Sequence, residues 1–180
     1  MKKKSTKPVI NDANDREKNI KENKPAIFEI KKNPDQNFGL KFWDNLRTFD
    51  SLGKKTVRDY DKPIQNFSKK YKIDPDVVRA VMYAENARGH RVFINKVWDD
   101  IGVSESPLPM NIQKTRWSSL IDKKPEDMYD HDANIEAATI LISRIRDRLE
   151  KPSVEKIGSI WHYLGAEKTD EFGEYVGRIY

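Results

Sequence analysis

Residues 71–89 read YKIDPDVVRAVMYAENARG, and this stretch has the pattern of a capped helix with one buried face. Asp74 is a good N-cap, Pro75 suits the first helical position, and Gly89 marks a stop. Apolar side chains recur at three- and four-residue spacing, which is typical of a helix face packed on a core. These side chains belong to Val77, Val78, Val81 and Met82. Glu85 follows Val81 by one helical turn, so the pattern predicts that its carboxylate faces inward.

An inward-facing carboxylate in the last turn of a helix is expected to hold its proton tightly. Burial disfavours the charged form and the negative end of the helix dipole does the same, so both raise the predicted pKa of Glu85. A general acid works best with a pKa of about 6 to 7. The alternative is an amphipathic helix whose exposed edge happens to carry a glutamate. This helix by itself fits both interpretations; in the catalytic one, Glu85 is the general acid.

The chain divides into an N-terminal extension, residues 1–55, and a helical domain, residues 56–180. Residues 1–25 are polar and predicted to be disordered, whereas residues 26–55 are apolar enough to dock on another surface or to serve as a loading segment. Glycine and proline predict a loop-rich or small β segment over residues 89–118. Further helices are expected from Asp61 to Tyr71, over Ile135–Leu149, after Ser153 and after Asp170. In the helix after Ser153, the side chains expected to face inward are Ile157, Ile160, Trp161 and Leu164. The predicted fold class is therefore mainly α.

Composition and charge exclude several classes of protein. The 180 residues include no cysteine, so disulfides, thiolate metal sites and cysteine nucleophiles are excluded. No apolar run is long enough for a membrane span, and the N-terminus lacks the apolar region of a signal peptide. Residues 1–24 hold eight Lys or Arg and four acids, so +4 of the net +5 lies there. The nearly neutral remainder argues against a nucleic-acid partner.

Several short motifs follow one another along the second part of the chain. They are Asp74-Pro75, Glu85-Asn86, Leu108-Pro109-Met110-Asn111-Ile112, Asn134-Ile135 with Ala138 and Leu141, His162-Tyr163-Leu164-Gly165, and Tyr175-Val176. Their order resembles the lysozyme-like superfamily, specifically its lytic transglycosylase and goose-type lysozyme branch. In that branch a helix introduced by an Asp-Pro pair ends in the catalytic glutamate, which corresponds to Glu85. The resemblance covers roughly residues 58–180 and implies a lysozyme-like helical domain.

The resemblance implies substrate-binding roles for Asn86, Met110, Asn111, Asn134 and Tyr163. The competing interpretation of Met110 is core filling, and that of Tyr163 is a core aromatic with a solvated hydroxyl.

Three positions depart from the family pattern. Asn86 replaces the usual Ser, and Asn111 replaces Gln, but both side chains retain amide donors and acceptors. Leu164 replaces an Asn that helps to bind the sugar acetamido group, and Leu cannot form that hydrogen bond. A catalytically impaired peptidoglycan-binding module is therefore an alternative to an active enzyme.

The implied reaction is cleavage of the MurNAc–GlcNAc β-1,4 bond of peptidoglycan with one glutamate as acid and then base. The alternative, a hydrolytic muramidase of the phage lysozyme type, needs a residue that activates water. Asp99, Asp100 and Glu105 lie in the loop that could supply it, although Asp99 and Asp100 also suit a solvated turn. We expect no metal and no cofactor, because Asp130-His131-Asp132 suits a helix-start turn better than a metal site.

A wall-degrading protein made in the cytoplasm without a signal peptide needs another route to its substrate. We expect an antibacterial effector that reaches the periplasm of a target cell by specialised secretion, with a phage lysozyme released at lysis as the alternative. The expected partners are peptidoglycan, a cognate immunity or inhibitor protein, and a secretion or phage delivery component.

Overall fold

A computed structural model of the chain describes residues 29–32, 47–87 and 104–180. These ranges are mainly helical, which confirms the predicted mainly α class. They contain no strand; a single parallel bridge pairs Lys31 with Lys168. Two short 3-10 helices, Ser118–Ile121 and Pro125–Tyr129, precede the longest α-helix. Within the described ranges, the α-helices are α1 (Arg47–Asp59), α2 (Asp61–Tyr71), α3 (Pro75–Ala87), α4 (Lys114–Trp117), α5 (His131–Arg148), α6 (Val154–His162) and α7 (Glu171–Ile179).

The core forms around two buried helices, α3 and α5. Helix α3 contacts α1, α2 and α7, whereas α5 contacts α2, α6 and both 3-10 helices. Burying these apolar faces contributes roughly 25 cal/mol for each Å² removed from water, so helix packing is the main stabilising contribution. The fully buried side chains of the two helices include Val78, Val81 and Met82 in α3, and Ile135, Ala138 and Ile142 in α5.

Helix starts follow the capping residues that the sequence predicts. The Asp130 carboxylate accepts a hydrogen bond from Ala133 N at 2.9 Å, which makes Asp130-His131-Asp132 the start of α5. Ser153 and Asp170 cap α6 and α7 in the same way. Asp74 Oδ1 accepts from Asp76 N at 2.9 Å at the start of α3. A polar side chain at such a position satisfies one of the backbone N–H groups that a helix end leaves unpaired.

Part of the predicted extension belongs to the folded domain. Ile30 is 1% exposed and lies in the core. Its neighbour Lys31 forms two backbone hydrogen bonds, from Lys31 N to Glu167 O at 3.0 Å and from Thr169 N to Lys31 O at 2.9 Å. Helix α1 continues across the predicted boundary between residues 55 and 56. Residues 29–32 and 47–55 therefore dock on the domain itself, whereas residues 1–25 lie outside the described ranges.

Candidate active site

Glu85 lies in the last turn of α3 and is 8% exposed, which confirms its predicted inward orientation. Its Oε2 atom accepts a hydrogen bond from Asn111 Nδ2 at 2.9 Å. Its Oε1 atom accepts one from Trp161 Nε1, also at 2.9 Å. Each carboxylate oxygen is thus held by a donor from a different part of the chain, the loop before α4 and the end of α6. This fixes the orientation of the carboxyl group.

The two donors of Glu85 differ in chemistry. An indole N–H can only donate, whereas an amide group carries both a donor and an acceptor. Trp161 therefore keeps its bond to an oxygen lone pair of Glu85 in either protonation state. Asn111 donates to the ionised carboxylate and, after rotation of its amide, can accept from the protonated acid. Such a pair of partners allows Glu85 to release and recover a proton without leaving its place.

A cavity of about 540 Å³ opens beside Glu85, within the usual range for small-ligand sites. Its polar wall consists of Glu85, Ser106, Asn111, Gln113, Arg116 and His162. Aromatic and aliphatic side chains complete it, namely Trp117, Trp161, Tyr163, Ile112, Leu141 and Leu164. Tyr163 is 66% exposed and Leu164 is 43% exposed, so both lie where a ligand would first make contact. A cavity with aromatic faces and hydrogen-bonding groups suits a polar, ring-shaped ligand such as a sugar.

Two of the predicted substrate-binding asparagines are buried and support the loop that precedes α4. Asn86 Nδ2 donates to Met82 O at 2.7 Å and to Pro109 O at 2.8 Å. Asn134 Oδ1 accepts from Met110 N at 2.9 Å. The Asn134 amide also donates to carbonyl groups of the loop and of the second 3-10 helix. Neither side chain lines the cavity, and the amide N–H groups of both are directed at backbone carbonyl groups instead.

Met110 is fully buried and does not line the cavity, so the structure places it in the core, as the competing interpretation predicted. Asn111, the next residue, has a φ of 52°. Asparagine tolerates this left-handed conformation better than most residues. The reversal of the backbone places Met110 in the core and the Asn111 side chain against Glu85.

Tyr163 and Leu164 lie beyond the end of α6, which stops at His162. The competing interpretation of Tyr163 as a core aromatic does not fit its exposure. The expectation that Leu164 faces inward is wrong for the same reason, because the helical period that predicted it no longer applies after the helix ends. The Tyr163 ring lies against Gly165, at the outer edge of the cavity.

Three residues were predicted as a possible second carboxylate beside Glu85, namely Asp99, Asp100 and Glu105. Within the described residues, none of them lies at the cavity. Glu105 is exposed and accepts hydrogen bonds from the backbone N–H and the hydroxyl of Thr115 at the start of α4. It does not line the cavity, where Glu85 is the only carboxylate among the described residues. Asp99 and Asp100 lie outside the described ranges.

The site also contains residues that were not predicted as functional, among them Arg116, Trp161 and His162. Trp161 was expected only as an inward-facing core residue. His162 Nδ1 lies 2.6 Å from Asp170 Oδ2. Burial opposes ionisation of Asp170, but hydrogen bonds from His162 and from the backbone N–H of Gly173 hold its pKa below the usual value. The motif at residues 162–165, with Trp161 directly before it, is a sequence signal that points to this wall.

Comparison of the chain with protein-family models, with curated proteins and with solved structures gave no significant match. Among the described helices, none combines the length and apolar character needed to cross a membrane. The described residues also contain no group of three or more side chains suited to hold a metal ion.

Proposed function

We propose that this protein cleaves the glycan strands of peptidoglycan at the MurNAc–GlcNAc β-1,4 bond, as a lytic transglycosylase with a lysozyme-like fold. The observation that carries the proposal is the environment of Glu85. A buried carboxyl group at the end of a core helix is held by Asn111 and Trp161 and borders an open cavity. Burial and the helix C-terminus favour the protonated form of such a group, whereas the two donors favour its ionised form, so a carboxyl group in this environment is suited to give up a proton and recover it.

In the proposed reaction, the proton of Glu85 passes to the glycosidic oxygen as the bond from that oxygen to the anomeric carbon breaks. The substrate N-acetyl group assists at the anomeric carbon. The 6-hydroxyl of the same sugar then attacks that carbon, and its proton is taken up by a base, which in the simplest form is the Glu85 carboxylate. The products are an anhydro-muramoyl end and a free GlcNAc hydroxyl. The single carboxylate on the described wall is compatible with this route.

The other groups on the wall fit a peptidoglycan strand. Arg116 is the only Lys or Arg among the described residues that line the cavity, and peptidoglycan stems carry carboxylates that a guanidinium binds well. Trp117 and Tyr163 offer aromatic faces to the apolar faces of sugar rings. Leu164, which replaces the family's Asn, adds apolar contact at the rim but no hydrogen bond to the acetamido group.

A hydrolytic muramidase is the second candidate. It would require a group that activates water on the opposite face of the sugar, which Asp99 or Asp100 could provide. The two candidates differ in their products, because hydrolysis leaves a reducing MurNAc end in place of the anhydro end. Mass spectrometry of the fragments released from purified sacculi separates them.

The test of the proposal compares the wild type with Glu85→Gln on purified sacculi. Glutamine keeps the shape of the side chain and can accept from Trp161, but it has no proton to transfer. We expect cleavage to fall by about 100-fold or more, with an unchanged circular dichroism spectrum. Glu126→Gln, an exposed position outside the cavity, is the matched control and should retain full activity. Near wild-type turnover by the Glu85→Gln variant would disprove the assignment.

A further inference from the structure

His162 forms a hydrogen-bonded pair with Asp170 beside the cavity. The pair joins the last residue of α6 to the N-cap of α7, with 2.6 Å between His162 Nδ1 and Asp170 Oδ2. A carboxylate oxygen at this distance accepts a hydrogen bond, so Nδ1 carries the ring proton. In the neutral imidazole the other nitrogen, Nε2, then has a free lone pair. No hydrogen bond occupies Nε2 within the described part of the chain.

Asp170 is itself rigidly placed. Its Oδ1 atom accepts from Gly173 N at 2.8 Å, and its backbone N–H donates to Ser159 Oγ at 2.9 Å. Helices α6 and α7 approach so closely here that a Cβ atom on Gly173 would lie 2.0 Å from Ser159 Oγ. The Phe172 ring packs against the imidazole, with 5.2 Å between the ring centroids. The imidazole is therefore oriented by a fixed carboxylate and by an aromatic neighbour.

His162 lines the same cavity as Glu85, and the residue before it, Trp161, holds the Glu85 carboxyl group. Of the cavity-lining residues that the structure describes, the other titratable or charged ones are Arg116 and Tyr163. A carboxylic acid and a histidine with an available nitrogen thus face one ligand-sized space. An oriented neutral imidazole is the usual general base for a hydroxyl group.

We propose that His162, oriented by Asp170, is the base that takes the proton from the hydroxyl group attacking the anomeric carbon. The inference rests on the proposed function and divides between two residues the acid and base roles that Glu85 would otherwise perform alone. The glycosidic oxygen takes the Glu85 proton as its bond to the anomeric carbon breaks. A new bond forms from the attacking oxygen to that carbon, and the hydroxyl proton passes to His162 Nε2. Exchange with water then returns both groups to their starting states.

The attacking hydroxyl has two sources, the sugar's own 6-hydroxyl or a water molecule, and a histidine base serves either one. Anhydro-muramoyl products identify the first source and reducing MurNAc ends identify the second. Both results are compatible with the role of His162, whereas they distinguish the two candidate reactions above.

If His162 served only to link α6 to α7, the one property it would need is an N–H group that donates to Asp170. Gln supplies such a donor but is not basic, so His162→Gln separates the link between α6 and α7 from the proton transfer. His162→Ala removes the ring and leaves space for added imidazole. His131 provides the matched control, because its Nδ1 atom lies 2.5 Å from the Tyr60 hydroxyl and its side chain does not line the cavity.

The experiment measures release of fragments from purified sacculi by the full chain and by the Gln and Ala variants of His162 and His131. We expect both His162 variants to lose about 100-fold in kcat with native circular dichroism spectra, and the His131 variants to lose little. Added imidazole should restore part of the activity of His162→Ala and should not stimulate His131→Ala. Wild-type activity in His162→Gln, or loss without rescue by imidazole, would overturn the proposal. A wild type that releases no fragments would instead contradict the proposed function.

Discussion

Trp161 donates its indole N–H to Glu85 across 2.9 Å and so joins the end of α6 to the end of α3. The two residues are 76 positions apart in the chain. A buried carboxyl oxygen without a donor would cost about 1–3 kcal/mol or more, so this contact makes an inward-facing Glu85 compatible with a stable core. Glu85 is thereby linked directly to α6, the helix that also carries His162.

Replacing Trp161 with Phe keeps an aromatic ring and removes the donor. We expect kcat on purified sacculi to fall about 10- to 100-fold, because a hydrogen bond to a charged group contributes roughly 1.5–3 kcal/mol. Trp117→Phe is the comparison, since Trp117 lines the same cavity without bonding Glu85, and its kcat should change less. Equal losses in the two variants would mean that the indole N–H has no specific role.

Replacing Asn111 with Asp places a second carboxylate where Nδ2 now lies, 2.9 Å from Glu85 Oε2. Two close carboxylates share a proton, so the apparent pKa of the pair that includes Glu85 rises. If Glu85 is the acid, the alkaline limb of the pH–rate profile should move to higher pH. Asn111→Gly is the control, because glycine tolerates the φ of 52° and removes the side chain. Asn111→Gly removes one donor to the Glu85 carboxylate and adds no charge, so it should move that limb less than the Asp variant does. An unmoved limb in the Asp variant would count against the acid role.

The acid stability of the fold should depend on Glu136, which lies on α5. Burial raises its pKa, but hydrogen bonds from Lys70 Nζ and from the Tyr71 hydroxyl, both 2.6 Å long, more than offset this and lower it from 4.5. Because the folded-state pKa is depressed, the stabilisation is present above the unfolded value and is lost as the pH falls through the folded value. Denaturant unfolding of Glu136→Gln should show a deficit at pH 7 that shrinks towards pH 3. A deficit that is the same at both pH values would exclude the ion pair as its cause.

The N-terminal boundary of the domain is tested by Ile30. Ile30→Ala should lower the free energy of unfolding by about 2–4 kcal/mol, because Ile30 is 1% exposed and its truncation leaves a cavity. Deletion of residues 1–25 should leave both stability and cleavage of sacculi nearly unchanged, since the sequence of that segment is rich in charged and polar residues and poor in apolar ones. Thermal unfolding of the two variants measures the difference. If Ile30→Ala left the free energy of unfolding unchanged, residues 29–32 would have to be counted with the N-terminal extension and not with the folded domain.

The sequence by itself determined the features that depend on neighbouring residues. Side chains at Asp74, Asp130, Ser153 and Asp170 start helices because each bonds a backbone N–H two or three residues ahead. The helical period also placed Glu85 on the buried face, since three- and four-residue spacing defines one side of a helix. These interactions join residues only a few positions apart, so the order of residues in the sequence is enough to predict them.

Only the tertiary structure decided which residues meet Glu85 and which merely support it. Asn111 and Trp161 reach Glu85 from positions 26 and 76 residues away, and periodicity within one helix does not specify a partner in another. The same limit explains why Asn134 and Met110 were expected at the substrate but are buried. A motif shows that a side chain occurs at a given spacing, whereas the packing of separate helices decides whether it faces the cavity or the core.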